Sequence, residues 1–321
     1  MHPAFSIIVF TTFSGAGYGL LAWLGIFGAA GLLPDNRAFG FVALGLALCA
    51  VSVGLLASTF HLGHPERAWR AFSQWRTSWL SREGVASVLT YIPAALFGMG
   101  WVILGRTDNG WRLASLASAL GALITLVCTA FIYQSLKPIP SWHNKWVLPN
   151  FLSLAAMTGA LWLVAVAQPF ELLSQEASIV ALVVIPIALL LKLGYWRHID
   201  NAIVTSTPET ATGLGELGAV RLFSAPHTSE NYLLKEMGFR IARKHAHKLR
   251  RIMVVTGFVI PFMLMFVAFS APGSVAVLAA FLAAVFAMAG VMIERWLFFA
   301  EAKHSVTLYY GRALAPDPPG V

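Results

Sequence analysis

Apolar residues run along this chain in long uninterrupted stretches, broken by short charged or Pro/Gly segments. They neither alternate, as in a half-buried strand, nor form one narrow stripe, as on a surface helix. A bilayer core of roughly 30 Å takes about 20 apolar residues per helix. Eight stretches meet that length: about 6–32, 40–60, 84–104, 113–134, 147–167, 178–195, 252–271 and 274–294. Ala271-Pro272-Gly273 is a turn signal between the last two. The first stretch has no basic segment before it and no early small-residue cleavage pattern, so it reads as a retained span. The pattern predicts an all-α integral membrane protein, one bundle of about eight transmembrane helices over residues 1–321. No internal repeat stands out. Residues 196–251 form the one long polar stretch, and the Pro-rich tail 313–321 is expected to be disordered.

Composition narrows this further. Charged residues make up 11% of the chain and hydrophobic ones 58%, with a mean hydropathy of +0.73. Soluble domains carry about 25% charged residues, so a soluble enzyme is excluded. The two cysteines, Cys49 and Cys128, lie inside apolar runs. No Cys pattern for an iron–sulfur cluster is present, and no metal site is expected.

The basic residues fall unevenly. With eight spans, both termini and loops two, four and six share one face, and that face carries 19 of the 22 Lys and Arg. Only Arg37, Arg106 and Arg112 lie on the other. The positive-inside rule places both termini and the even loops in the cytoplasm.

Polar residues at membrane depth are costly unless used or paired, and here the ionisable groups collect at span ends. The densest cluster links spans two and three: His61-Leu62-Gly63-His64-Pro65-Glu66-Arg67-Ala68, then Ser78-Trp79-Leu80-Ser81-Arg82-Glu83. His61 ends one span and Glu83 opens the next, so an antiparallel hairpin is expected to bring them together. An imidazole beside a carboxylate at the hydrocarbon edge suits a quinone site, which needs hydrogen-bond donors and a proton source. Taken singly, each residue reads as plainly as a helix cap at the headgroups.

The run His-Leu-Gly-x-Pro-x-Arg-Ala at 61–68, followed by Leu-Ser-x-Glu at 80–83, resembles the membrane-anchor subunit of dimethyl sulfoxide reductase, the DmsC family. Pro140-Ser141-Trp142 and Arg295 with Phe298-Phe299 agree with it, as does the eight-span layout. The resemblance implies a quinone-binding anchor without haem. Its implied partners are a four-cluster iron–sulfur subunit and a molybdopterin catalytic subunit. It also implies His61 and Glu83 as the quinone and proton-transfer residues, with Arg67 and the adjacent His64 in the same site. The sequence departs from the family at Gly84, where a bulky aliphatic is common. It departs again at Val291, which holds the place of an acid, with Glu294 a turn later. The stretch 196–251 is also longer. The cytoplasmic face implied by charge differs from that of a periplasmic dimethyl sulfoxide reductase. It matches the related cytoplasmic sulfite-oxidising complexes (the SoeABC type), so sulfite-to-quinone electron flow ranks first and quinol-driven dimethyl sulfoxide reduction second.

Loop two carries Trp69, Arg70, Trp75, Arg76, Trp79 and Arg82, and loop four carries Trp142 and His143. Trp and Arg are enriched at interfaces, so these are the candidate partner surface; Trp also anchors at headgroups. Residues 228–251 read as a basic amphipathic helix, for lipid or for partner subunits. No nucleic acid is expected. Two other classes fit less well. A b-type cytochrome needs paired His at membrane depth, and the nine His show no such pair. A transporter needs broken helices and mid-membrane ionisable groups; Pro186 and Pro261 offer kinks, but no buried acid chain is evident in the sequence.

Overall fold

Among the described residues, eight helices are long and apolar enough to cross a membrane. They are α1 (Phe5–Ala29), α2 (Arg37–Thr59), α3 (Trp79–Leu104), α4 (Gly110–Gln134), α5 (Val147–Phe170), α6 (Ser174–Asp200), α7 (Ala246–Ser270) and α8 (Gly273–Ala300). This computed structural model describes residues 4–60, 62–202, 206–224 and 245–310, and among them there is no strand. Every expected span is present. Span six runs past its expected end at 195 to Asp200, and span eight runs past 294 to Ala300. These two extensions place inside helices charges that hydropathy alone assigns to helix ends.

Local sequence sets the boundaries. The Asn36 side chain accepts from the Phe39 N–H at 2.9 Å and caps α2. Gly105 closes α3 in a left-handed conformation. Two spans carry a π-helical turn, Met99–Leu104 in α3 and Val255–Val259 in α7. Pro261 lies two residues beyond the second, where its missing N–H disturbs the regular ladder.

At the centre stand α1 and α5, the two most enclosed spans. Between helices in lipid, association rests on close van der Waals packing rather than on apolar burial from water. Glycine makes that approach possible here. A Cβ on Gly19 would collide with the Ala155 carbonyl, and one on Gly159 with the Gly19 backbone. The α2 helix packs on α1, α3 on α4, and α6 and α8 on α5. The expected α2–α3 hairpin is therefore not the principal pairing. The two helices meet chiefly at the end opposite loop two, where Phe39 lies edge-on to Trp101, and through a 2.7 Å contact between the Ser52 and Tyr91 hydroxyls.

At that same end, Thr107 of loop three donates to Asp35 of loop one at 2.6 Å. At the other end, Arg250 of α7 binds both Asp200 of α6, at 2.6 Å, and Glu301 just beyond α8, at 2.9 Å.

Candidate functional site

Loop two folds back over the start of α3. Its 3₁₀ turn, Pro65–Gln74, opens with Pro65, whose fixed φ suits a first helical position. The Ser81 hydroxyl donates to the Ala71 carbonyl. Arg82 donates to the Trp75 carbonyl at 3.0 Å and to the Arg76 carbonyl at 2.6 Å. Its guanidinium lies 4.2 Å from the centre of the Trp79 ring, which stacks on Phe131 of α4 at 4.5 Å. Gly84 leaves room for Phe72: a Cβ there would sit 3.1 Å from the Phe72 ring. Glycine at this position thus lets loop two lie close on α3.

Beneath this cover is Glu83, only 5% exposed. Its carboxyl group accepts from the Thr129 hydroxyl of α4. Tyr18 of α1, and Cys128 and Tyr133 of α4, lie within electrostatic range of it. A buried carboxyl with a single hydroxyl partner is chemically suited to take and give a proton. No ion pair to a basic side chain holds it among the described residues.

The other expected site residues are dispersed. His61 lies outside the described residues. His64 is exposed, with Nδ1 3.0 Å from Glu66. Arg67 is also exposed and faces Glu66 at 3.7 Å, not Glu83. Trp69 and Trp75 are 66% and 52% exposed. Each is lined by its neighbouring arginine, Arg70 at 5.6 Å and Arg76 at 5.5 Å from the ring centres. Trp142 is core, 3% exposed, and its indole N–H donates to the Phe298 carbonyl at 2.9 Å. It presents no surface, because the Pro-Ser-Trp turn tucks it between Tyr133 and Phe298. His143 beside it is exposed, with Nδ1 2.6 Å from the Gln134 carbonyl. Most of the expected amphipathic helix, residues 228–244, lies outside the described residues; from Ala246 the chain is already α7.

One buried cluster is not evident from hydropathy. Glu294 of α8 is clamped between Lys192 of α6, at 2.5 Å, and Arg295, at 2.6 Å. All three are at most 2% exposed. By sequence Lys192 groups with loop six, because a Lys near a span end usually snorkels to the interface. The adjacent pair Glu294-Arg295 inside the final apolar run is the available signal.

A family model described as DMSO reductase anchor subunit (DmsC) matches residues 1–311. The chain belongs to the DmsC family. Among the relatives of this DmsC-family protein is the C subunit of the sulfite dehydrogenase of Allochromatium vinosum, 34% identical over 97% of this chain and 99% of that protein. Two Escherichia coli relatives match more narrowly. The YnfH component of an anaerobic dimethyl sulfoxide reductase is 29% identical over 36% of this chain and 40% of its own length. The C component of anaerobic dimethyl sulfoxide reductase is 25% identical over 35% and 39%. As a DmsC-family protein with eight apolar spans, this chain is a multi-pass membrane anchor of the molybdopterin oxidoreductase class.

Proposed function

We propose that this anchor passes electrons between an iron–sulfur partner subunit and the membrane quinone pool, with sulfite as the substrate of a molybdopterin partner. The observation that carries the reading is Glu83, a carboxyl group buried beneath loop two with a hydroxyl partner from a second span. A bound quinone supplies two-electron chemistry coupled to protonation of its two carbonyl oxygens. The residues present fit such a ring: Trp79 and Phe131 offer a flat aromatic wall, and Glu83 a proton. Glu83 delivers or collects that proton, and His61 donates a hydrogen bond to a carbonyl oxygen. His64 and Arg67, exposed on the same loop, are assigned to the approach of the partner and not to Glu83 itself.

The exposed Trp69-Arg70 and Trp75-Arg76 pairs, with His143 in loop four, form the proposed docking face for a four-cluster iron–sulfur subunit. The charge asymmetry favours a cytoplasmic position for this face, at a bacterial inner membrane. That sidedness favours sulfite oxidation, as does a match to a sulfite dehydrogenase subunit over 97% of the chain. Dimethyl sulfoxide reduction is the second reading, supported by relatives that match about a third of it.

In the purified complex, His61→Ala and Glu83→Gln should abolish quinone turnover while the partner subunits stay bound. Loss of the partners would instead make both residues structural. A reporter active only in the periplasm, fused to the C-terminus and to loop five, separates the two substrate readings. Activity in loop five alone supports sulfite; activity at the C-terminus alone supports dimethyl sulfoxide.

A further inference from the structure

Thr129, the partner of Glu83, shares a cavity with other buried polar groups. The Arg295 guanidinium is fixed on one edge by Glu294, at 2.6 Å from Nε, and on one face by the Phe151 ring, whose centre is 3.9 Å away. Its Nη1 is buried and has no hydrogen-bond partner in the structure. The Thr12 hydroxyl of α1 is buried and unpartnered as well. Both side chains line one cavity between α1, α4, α5 and α8, and Thr129 and Thr158 form part of the same wall. The cavity offers about 20 Å³ to the centre of a water molecule. A water needs at least about 10–15 Å³ on this measure, with two to four polar partners. The space therefore suits one water and is far too small for a ring. Two orphaned polar atoms on the wall of a cavity of that size each call for the same bridging molecule.

We propose that this cavity is an internal water site, and that Arg295, acting through the water and Thr129, is a positioning residue for Glu83. The proposal rests on the reading of Glu83 as the proton-transfer group. When the Glu83 O–H proton leaves for an acceptor oxygen, the carboxylate that remains accepts from the Thr129 hydroxyl. The water donates to the Thr129 oxygen and accepts from Arg295 Nη1–H, while Thr12 supplies its further contact. Arg295 keeps its protons throughout; it contributes a fixed charge and an orientation.

No neighbour among the described residues supplies the same service. Arg82, on the same helix as Glu83, is committed to loop-two carbonyls. Tyr18, Cys128 and Tyr133 are neutral groups, and Tyr133 lies within electrostatic range of both Glu83 and Arg295. Lys192 is held on the far side of Glu294, and Glu301 is bound by Arg250.

Two measurements on the assembled complex test this. The first is quinone turnover with binding of a quinone-site inhibitor as control. Thr12→Val, close in shape, should slow turnover about 10-fold, and Arg295→Gln about 100-fold. Arg295→Lys should recover most of the rate, the solvent deuterium isotope effect should rise in the slowed variants, and inhibitor affinity should not change. Wild-type rates in Thr12→Val with an unchanged isotope effect overturn the proposal, as does equal impairment of Arg295→Gln and Arg295→Lys. The second is a cryo-EM map resolving ordered waters. An oxygen within about 3.2 Å of both Arg295 Nη1 and Thr12 Oγ1 is expected; well-defined side chains around empty density overturn the water site whatever the activity. A wild-type complex inert toward quinone would instead sink the reading of Glu83, and the map would still decide the water.

Discussion

The Thr129 hydroxyl touches two acceptors at once, the Glu83 carboxyl group of the neighbouring helix and, at 3.0 Å, the Thr125 carbonyl of its own. A hydroxyl has one proton to give. When Glu83 is ionised, Thr129 donates to it. When Glu83 is protonated, the acid donates to Thr129, which turns its own proton to the Thr125 carbonyl. The contact survives both states by reversing its direction. Thr129→Val removes that reversal and should slow quinone turnover about 10-fold, whereas Thr129→Ser should stay near the wild-type rate. Single-turnover kinetics of the complex with excess quinone measures the difference.

Gly84 and Phe72 set how closely loop two covers the site. At 3.1 Å, a Cβ would press on the Phe72 ring without excluding it. Gly84→Ala should be tolerated. Gly84→Leu should lift residues 65–78, with an overpacking cost of about 1–3 kcal/mol, and Phe72→Ala in the same chain should restore the cover. Hydrogen exchange over loop two reads this out, and equal protection in Gly84→Leu and wild type would contradict it.

The Lys192–Glu294 pair carries a different expectation. Both side chains are about 1% exposed, and Arg295 holds the same carboxylate at 2.6 Å, so losing Glu294 strands two cations in an apolar interior. Glu294→Gln should destabilise the protein by about 3–5 kcal/mol. Glu294→Gln with Lys192→Met should recover part of that loss by removing one stranded cation. Thermal unfolding of the detergent-purified chain, followed by tryptophan fluorescence, compares the two.

Just beyond α8, His304 Nδ1 accepts from the Val306 N–H at 3.0 Å and starts the final 3₁₀ turn, Ser305–Tyr310. Burial holds its pKa below the ordinary histidine value of 6.5. The unfolded segment then binds a proton before the folded one does, so stability falls as pH drops through about 6.5 and levels off below the depressed folded value. A protonated Nδ1 also cannot accept the Val306 bond. Exchange of the 304–310 amides, corrected for intrinsic rates, should quicken as pH falls from about 7.5 to about 5.5. His304→Asn should flatten that dependence.

The spans are legible because a helix in lipid must satisfy its own backbone and show lipid an apolar surface, and both demands are written in runs of residues. Glu83 is legible from its place at the start of a span. Its partner is not: Thr129 lies 46 positions away in sequence, on a helix chosen by packing and not by adjacency. The α2–α3 hairpin is not the principal pairing for the same reason, since a connection between consecutive spans brings helix ends near each other without fixing which faces meet. Arg295 falls outside the expected span 274–294 because a one-residue scale treats a charge as a boundary. Two cations around Glu294 satisfy its charge, so α8 continues past Arg295. Arg67 resembles a site residue by motif, yet a neighbouring Glu66 on the same exposed turn offers it a nearer charge.

The glycine contact between α1 and α5 bears on how the protein is made. Gly19 and Gly159 are about 140 residues apart. At roughly 5–20 residues per second, a ribosome needs about 7–28 s to synthesise that interval. Throughout it the first helix stands in lipid with its eventual neighbour not yet made, and α2 is its only early companion of the two that press on it most. One of the two most enclosed helices of the finished bundle is thus made well before the other. Its small-residue face must stay uncommitted until the fifth helix arrives.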